Sequence, residues 1–151
     1  MAHEGQRYNP TLSHGAPQFW RAFWNDRAVK LHIANTAGLN LFTAYGDDYA
    51  AVNHEKHEKN LILLPESIIP AWTGATVITL TEADINILLG LDTEIILLGT
   101  GKSLRFPPGA LLRPFAPAGI GLEIMDLKAA CRTYNILAAE GRKVAAALLF
   151  D

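Results

Sequence analysis

The chain has 151 residues, of which 50% are hydrophobic and 19% are charged, a composition typical of globular domains and not of disordered chains. Thirteen Lys and Arg residues oppose 15 Asp and Glu residues, for a formal net charge of −2. The basic pair Arg142-Lys143 is not extended into a longer run, so we expect no nucleic-acid partner.

The apolar stretches of the sequence are much shorter than the roughly 18–20 residues that cross a bilayer, so we expect no membrane insertion. The first residues lack the basic, apolar and small-residue regions of a secretory signal peptide. The single cysteine, Cys131, excludes an internal disulfide, which fits a reducing compartment. We therefore expect a cytoplasmic protein.

The N-terminal segment differs in composition from the rest of the chain. Its glycines and prolines, mixed with polar residues, predict a partly disordered arm over residues 1–28, followed by a single α/β domain over residues 29–151. Four aromatic residues within the arm have helical spacing: Phe19, Trp20, Phe23 and Trp24. This cluster either docks on the domain or forms an exposed patch that binds a partner.

The first half of the domain has the pattern of short strands. Leu39–Tyr45 and Tyr49–Val52 predict a hairpin around the turn Gly46–Asp48, since glycine and aspartate favour such turns. A further apolar strand is predicted over Leu61–Leu64, where Pro65 ends it.

A polar run, His54-Glu55-Lys56-His57-Glu58, lies between two of these strands. The zinc-protease motif needs two histidines four positions apart on a helix, whereas these two are three apart. We expect a solvated loop here, and no metal site.

From Ala75 onward, strand and helix signals alternate. Ala75–Thr79 predicts a strand, and Thr81 with Asp84 predicts a capping box, with an acid in place of the usual Glu or Gln. The helix that follows should run to about Leu89, where Gly90 stops it.

The remaining elements continue this alternation. We predict strands over Glu94–Leu98, Ile120–Met125 and Lys143–Phe150, and a helix over Leu127–Glu140 that is capped by Asp126 and ended by Gly141. Together these elements predict a three-layer α/β domain, with a central mixed β-sheet and helices on both faces.

The glycine-rich run Gly99-Thr100-Gly101-Lys102-Ser103 resembles the end of a phosphate-binding P-loop. The motif requires a glycine where this chain has Ile96, and a helix should follow at once, so we do not expect nucleotide hydrolysis. Two interpretations remain: the backbone N–H groups bind an anion or small ligand, or the glycines only permit a tight turn.

The predicted helix over Leu127–Glu140 contains a second candidate. Cys131 lies on its apolar face and is expected to be a core residue. Arg132 and Asn135 are one turn apart on another face, where they bind a carboxylate, bind a backbone carbonyl and an anion, or form an ordinary polar surface. We expect Arg132 to be partly buried, because the helix is rich in apolar residues.

The candidate ligand-binding residues are therefore Gly99, Thr100, Gly101, Lys102, Arg132 and Asn135. The sequence indicates no catalytic set, no cofactor and no metal ligands.

Several segments resemble a small family of largely uncharacterised α/β domains, which includes a mitochondrial assembly factor of respiratory complex I and a human adipogenesis-associated protein. The resemblance extends over Val29–Phe150, and Cys131–Asn135 is its most specific part. The similar segments are Leu63–Pro65, Leu97–Gly101, Gly119–Asp126, Ala129–Leu137, Glu140–Arg142 and Val144–Leu149.

The resemblance implies a three-layer fold with a central mixed sheet and protein partners in a respiratory or membrane-associated complex. It implies neither catalytic residues nor an oligomeric state. In this family the helix after Pro107 is long, whereas here Pro114 and Pro117 predict that it is short or kinked.

Two functional hypotheses follow. The first is a non-catalytic interaction module that resembles a respiratory-complex assembly factor. The second is a small-ligand or anion-binding domain, or an enzyme, that uses the Gly99–Gly101 loop and the Arg132/Asn135 helix face. The lack of a catalytic set favours the first.

Overall fold

The structure, a computed structural model, describes residues 37–150. The predicted N-terminal arm over residues 1–28, its aromatic cluster and the domain boundary at residue 29 lie outside the described residues.

Within that range the chain forms strands, two α-helices and two 3-10 helices. The strands are β1 (Phe42–Tyr45), β2 (Ala50–Val52), β3 (Glu55–His57), β4 (Leu61–Leu64), β5 (Ser67–Pro70), β6 (Ile95–Gly99), β7 (Gly121–Met125) and β8 (Val144–Leu148). The α-helices are α1 (Glu82–Leu89) and α2 (Leu127–Ala139), and the 3-10 helices are Val77–Thr79 and Gly109–Leu112.

The larger sheet has five strands in the order β5-β4-β8-β6-β7. Strand β6 is parallel to both of its neighbours, whereas β4 is antiparallel to β8 and to β5. The sheet is therefore mixed, as predicted. Its central strands β6 and β8 are buried along their whole length, which explains their continuous apolar sequences.

Both faces of this sheet are covered. On one face, Ile96 and Leu98 of β6 join a buried cluster with Ile85 and Leu88 of α1. Because side chains alternate along a strand, the neighbouring positions point to the opposite face, where α2 packs against β6 and β8. The predicted three-layer architecture is confirmed.

A smaller antiparallel sheet, in the order β1-β2-β3, contacts α2 through β1. Its strand β3 corrects the prediction of a loop over His54–Glu58. Asn53 and His54 both have positive φ angles, +50° and +76°, and they form a tight turn that returns the chain along β2. Strand β3 pairs with β2 through backbone hydrogen bonds. Its polar side chains therefore lack the apolar alternation by which a strand is predicted from sequence. Strand β5 was also not predicted.

The predicted strand over Ala75–Thr79 is wrong, because Val77–Thr79 forms a 3-10 helix. The hydroxyl groups of Thr76 and Thr79 lie 3.1 Å apart, and Thr79 N–H donates to Thr76 O at 3.1 Å. These local bonds compete with an extended conformation.

The cap of α1 is confirmed. Thr81 N–H donates to Asp84 Oδ2 at 2.9 Å, and Asp84 N–H donates back to Thr81 Oγ1 at 3.4 Å. The helix ends at Leu89, with Gly90 at its C-cap.

The helix predicted after Pro107 is short. Only Gly109–Leu112 is helical, as a 3-10 turn, which agrees with the effect expected of Pro114 and Pro117. In the part of the chain that the structure describes, no helix has the length and apolar character needed to cross a membrane.

Candidate functional site

The glycine loop meets the beginning of α2. Asp126 caps this helix, since its Oδ1 accepts a hydrogen bond from Ala129 N–H at 2.9 Å. Leu127 N–H donates to Gly101 O at 2.9 Å. One of the N–H groups that a helix N-terminus leaves open is therefore already bonded to the loop.

Gly99 ends β6 at a close approach between the sheet and α2. A Cβ atom at this position would lie 2.8 Å from Leu148 Cδ2, 3.1 Å from Ala130 Cβ and 3.4 Å from Leu127 Cα. Gly101, two residues later, has a φ of +90°, which strongly favours glycine. Both glycines therefore have a structural reason for their positions.

Thr100, between these glycines, is fully buried. Its hydroxyl donates to Ser103 O at 2.7 Å and accepts from Arg105 N–H at 3.1 Å, while its own N–H donates to Met125 O at 2.9 Å. These hydrogen bonds to the Thr100 hydroxyl fix the backbone of the loop. The Lys102 side chain is exposed to solvent.

Cys131 and Tyr134 belong to the core, as predicted for Cys131. Burial raises the pKa of the Cys131 thiol from 9.0 to about 12, although the charge of Arg132 acts in the opposite direction. Burial also raises the pKa of Tyr134, whose hydroxyl donates to Asn40 O at 2.9 Å. A thiol with so high a pKa is not a ready nucleophile at neutral pH.

Arg132 and Asn135 have different surroundings. Asn135 accepts a hydrogen bond from Phe42 N–H at 2.9 Å and donates one to Phe42 O at 2.8 Å. Arg132 is exposed, so the expectation that it is partly buried is wrong. The helix is rotated so that Cys131 and Tyr134 take the inward positions and Arg132 faces solvent.

The six candidate residues therefore fall into separate groups. Gly99, Thr100 and Gly101 join the sheet to the beginning of α2, and Asn135 joins the middle of α2 to β1. Lys102 and Arg132 are exposed cations.

A cleft of about 420 Å³ lies at the opposite end of α2. Leu64 and Val144 contribute apolar surface, and Arg142 and Lys143 contribute charge. These cations face acids: Arg142 lies 3.2 Å from Glu94 Oε1, and Lys143 lies 3.4 Å from Asp92 Oδ1. The basic pair is evident in the sequence, but the cleft could not be predicted from it, because its walls come from distant parts of the chain.

Among residues 37–150, no three His, Cys, Asp or Glu side chains are grouped closely enough to hold a metal ion.

Comparison with known proteins gives the family. Residues 42–149 match the model of a family described as "Protein of unknown function (DUF498/DUF598)". The chain belongs to this family. The resemblance predicted from the sequence is thereby confirmed, and the matched segment contains every strand and helix described above.

The relatives include both an assembly factor and an uncharacterized protein. The chain is 32% identical over 111 residues to the bovine (Bos taurus) NADH dehydrogenase [ubiquinone] 1 alpha subcomplex assembly factor 3, covering 70% of this chain and 60% of the relative. It is 30% identical over 113 residues to an uncharacterized protein of Rhodobacter capsulatus, covering 75% and 86%.

A third relative is the 13 kDa major membrane protein of Francisella tularensis. It is 32% identical over 71 residues, which cover 47% of this chain and 58% of that protein. The chain thus spans about three fifths of the length of the bovine and Francisella relatives.

Solved structures share the fold. A crystal structure of a Bordetella parapertussis protein has a TM-score of 0.70 and 39% identity, covering 76% of this chain and 98% of the other. A solution structure of a Bordetella pertussis protein, described as a Mth938-like domain, has a TM-score of 0.65 and 32% identity, covering 78% and 90%.

Proposed function

We propose that this domain is a non-catalytic interaction module that acts as an assembly or accessory factor for a respiratory complex. The observation that carries the proposal is the 32% identity to the bovine assembly factor 3 of NADH dehydrogenase over 111 residues. The aligned part covers 70% of this chain and 60% of the bovine protein.

The contacts that α2 makes with the rest of the domain support a function in binding and not in catalysis. Cys131 is the chain's only cysteine, and it is buried with a raised pKa. The polar groups of Tyr134 and Asn135 form hydrogen bonds with Asn40 and Phe42. Residues Cys131–Asn135, the most specific part of the family resemblance, therefore hold α2 in place. We infer that the domain acts through its exposed surface.

The partners we propose are protein subunits of a respiratory or membrane-associated complex, and the compartment we propose is the cytoplasm. In this scheme the rigid three-layer domain presents a fixed surface to an incompletely assembled subunit. It would leave once that surface is covered by the next subunit.

Affinity capture tests this proposal. The full chain, tagged and expressed at its native level, should recover subunits of a respiratory complex after chemical cross-linking, and more of them while assembly is in progress. A tagged Asn135→Ala variant at matched abundance should recover fewer of them, because weakening the contact between α2 and β1 destabilises the domain, and the tag alone is the control. Repeated captures without any respiratory subunit would contradict the proposal.

A second candidate function is binding of a small anion at the glycine loop. It is favoured by two exposed cations, Lys102 of the glycine loop and Arg132 of α2. In this proposal the Gly99–Gly101 loop positions Lys102, and Arg132 supplies a second cation from the Arg132/Asn135 face of α2.

Inorganic phosphate is the probe for this second function. Its addition should raise the thermal midpoint of the wild-type protein, and Lys102→Gln and Arg132→Gln should each reduce that increase. Lys59→Gln, at an exposed lysine of the β3–β4 turn, is the matched control. An unchanged midpoint in wild type would contradict anion binding.

A further inference from the structure

The connection between β6 and β7 has an unusual charge distribution. Residues 100–120, which we term the β6–β7 loop, contain three cations, Lys102, Arg105 and Arg113, and no Asp or Glu. The chain as a whole carries a net charge of −2. The positive charge of this loop is therefore a local feature.

The same loop exposes large apolar side chains. Leu104 is 51% exposed and Phe106 is 63% exposed. Lys102 and Arg113 are also exposed, so the loop carries both apolar and cationic side chains in contact with solvent. Exposed apolar side chains that alternate with cations are the composition of segments that bind at a membrane interface.

The loop backbone is held in place beneath these side chains. Pro107 and Phe115 are buried, Thr100 closes the first turn, and Ile120 N–H donates to Phe115 O at 3.1 Å. Phe106 is thus kept in solvent next to a buried proline. Little conformational entropy remains to be lost when the loop binds.

We propose that the β6–β7 loop binds the surface of an anionic lipid bilayer. Phe106 and Leu104 enter the boundary between headgroups and acyl chains, and Lys102 and Arg113 bind the lipid phosphates and carboxylates. The domain lies on the membrane and does not span it. This inference is independent of the proposed assembly function.

The size of the exposed apolar surface favours a bilayer over a folded protein partner. A standard protein interface takes about 800 Å² from each partner, whereas one aromatic side chain buries roughly 150–250 Å². Leu104 and Phe106 alone fall short of the apolar area of such an interface, which is somewhat more than half of the total. A bilayer needs no shape complementarity, and each apolar side chain and each cation contributes to binding separately.

Vesicle co-sedimentation of the full chain tests the proposal. The wild type should bind phosphatidylcholine vesicles that contain phosphatidylglycerol, and should bind pure phosphatidylcholine vesicles much more weakly. Binding should decline steeply between about 0.1 M and 1 M salt, as the Debye length falls from about 10 Å to about 3 Å.

The variants separate the apolar and the cationic contributions. Lys102→Gln and Arg113→Gln should each weaken binding by roughly fivefold, the equivalent of about 1 kcal/mol per cation. Phe106→Ser should weaken it by about tenfold or more. Each replaced side chain is exposed, so the thermal midpoints should stay near that of wild type.

Matched controls lie outside the loop. Ile136→Ser replaces an apolar side chain of α2 that is 41% exposed, and Lys59→Gln removes an exposed lysine; both should bind like wild type. The proposal is overturned if wild type ignores anionic vesicles, or if the loop variants bind as well as the controls. Loss of capture of an acidic protein by these variants, with vesicle binding unchanged, would assign the loop to a protein partner instead.

Discussion

The side-chain amide of Asn135 forms two hydrogen bonds with the backbone of a single residue, Phe42, accepting from its N–H at 2.9 Å and donating to its C=O at 2.8 Å. Two paired residues of an antiparallel sheet exchange the same pair of bonds. Asn135 thus takes the place of a further strand beside β1 and joins the smaller sheet to α2. The aromatic ring of Phe42 packs edge-on against Tyr134 at 5.3 Å.

Asn135→Ala should destabilise the domain by about 2–3 kcal/mol, because it leaves the N–H and C=O of Phe42 without their partner. Asn135→Asp should also destabilise it, since a carboxylate accepts from the N–H but cannot donate to the C=O. Urea unfolding followed by circular dichroism measures both effects. Arg132→Gln, at an exposed position of the same helix, is the control and should unfold like wild type. Equal stability of Asn135→Ala and wild type would show that the bonds to Phe42 contribute nothing.

Gly99→Ala should cost about 1–3 kcal/mol in the free energy of unfolding, the usual range for overpacking. The added methyl group would meet Leu148 and Ala130 at distances that force a shift. Gly109→Ala is the matched control, because a Cβ atom there has no neighbour within 4 Å. The loss of stability is measured by comparing the denaturation midpoints of Gly99→Ala and Gly109→Ala with that of wild type.

The same pair of variants also addresses the ligand hypothesis. If Gly99 served only to let an anion approach the backbone, Gly99→Ala would leave stability intact and would abolish the phosphate-induced thermal shift. Loss of stability without phosphate identifies the contact between β6 and α2 as the reason for the glycine.

The features that could be predicted from the sequence are those encoded by residues close together in the chain. Asp126 and Gly141 mark the two ends of α2, and the apolar run of β6 predicts a buried central strand, because each feature reflects interactions within a few residues. The bond between Asn135 and Phe42 joins residues 93 positions apart. A backbone carbonyl was among the partners predicted for Arg132 and Asn135, but the sequence contains no signal that this partner is Phe42.

Other errors have the same origin. The sequence of β3 is polar because its side chains are mostly exposed, and its pairing follows from the turn at Asn53 and His54. Arg132 was expected to be partly buried from the average composition of its helix. Its exposure depends on the rotation of α2 against the sheet, which the composition does not determine.

The buried thiol should make the domain less stable in alkaline solution. The folded state raises the pKa of Cys131 from 9.0 to about 12, mainly through desolvation, so the folded protein keeps this proton more tightly than the unfolded chain. The resulting stabilisation is complete below about pH 9 and is lost as the pH rises through about 12, at up to about 1.4 kcal/mol per pH unit.

Urea unfolding of wild type and Cys131→Ala at a series of alkaline pH values tests whether stability falls as the pH rises. The variant should be less stable than wild type near neutral pH, because it leaves a small cavity, and its stability should fall less steeply above about pH 9. Tyr134, whose pKa burial also raises, remains in both proteins and contributes equally. Parallel curves for the two proteins would contradict a buried, protonated thiol.

The most direct test of the central claim, that the domain acts by contact and not by catalysis, is the amount of fully assembled respiratory complex I in cells that lack this chain. Native gels with an in-gel NADH oxidation assay measure that amount. We predict that subassemblies accumulate without the chain, and that the wild type and a Cys131→Ala/Arg132→Gln double variant both restore the complete complex. Normal complex I in the deletion cells, or rescue by wild type but not by an equally abundant double variant, would contradict the claim.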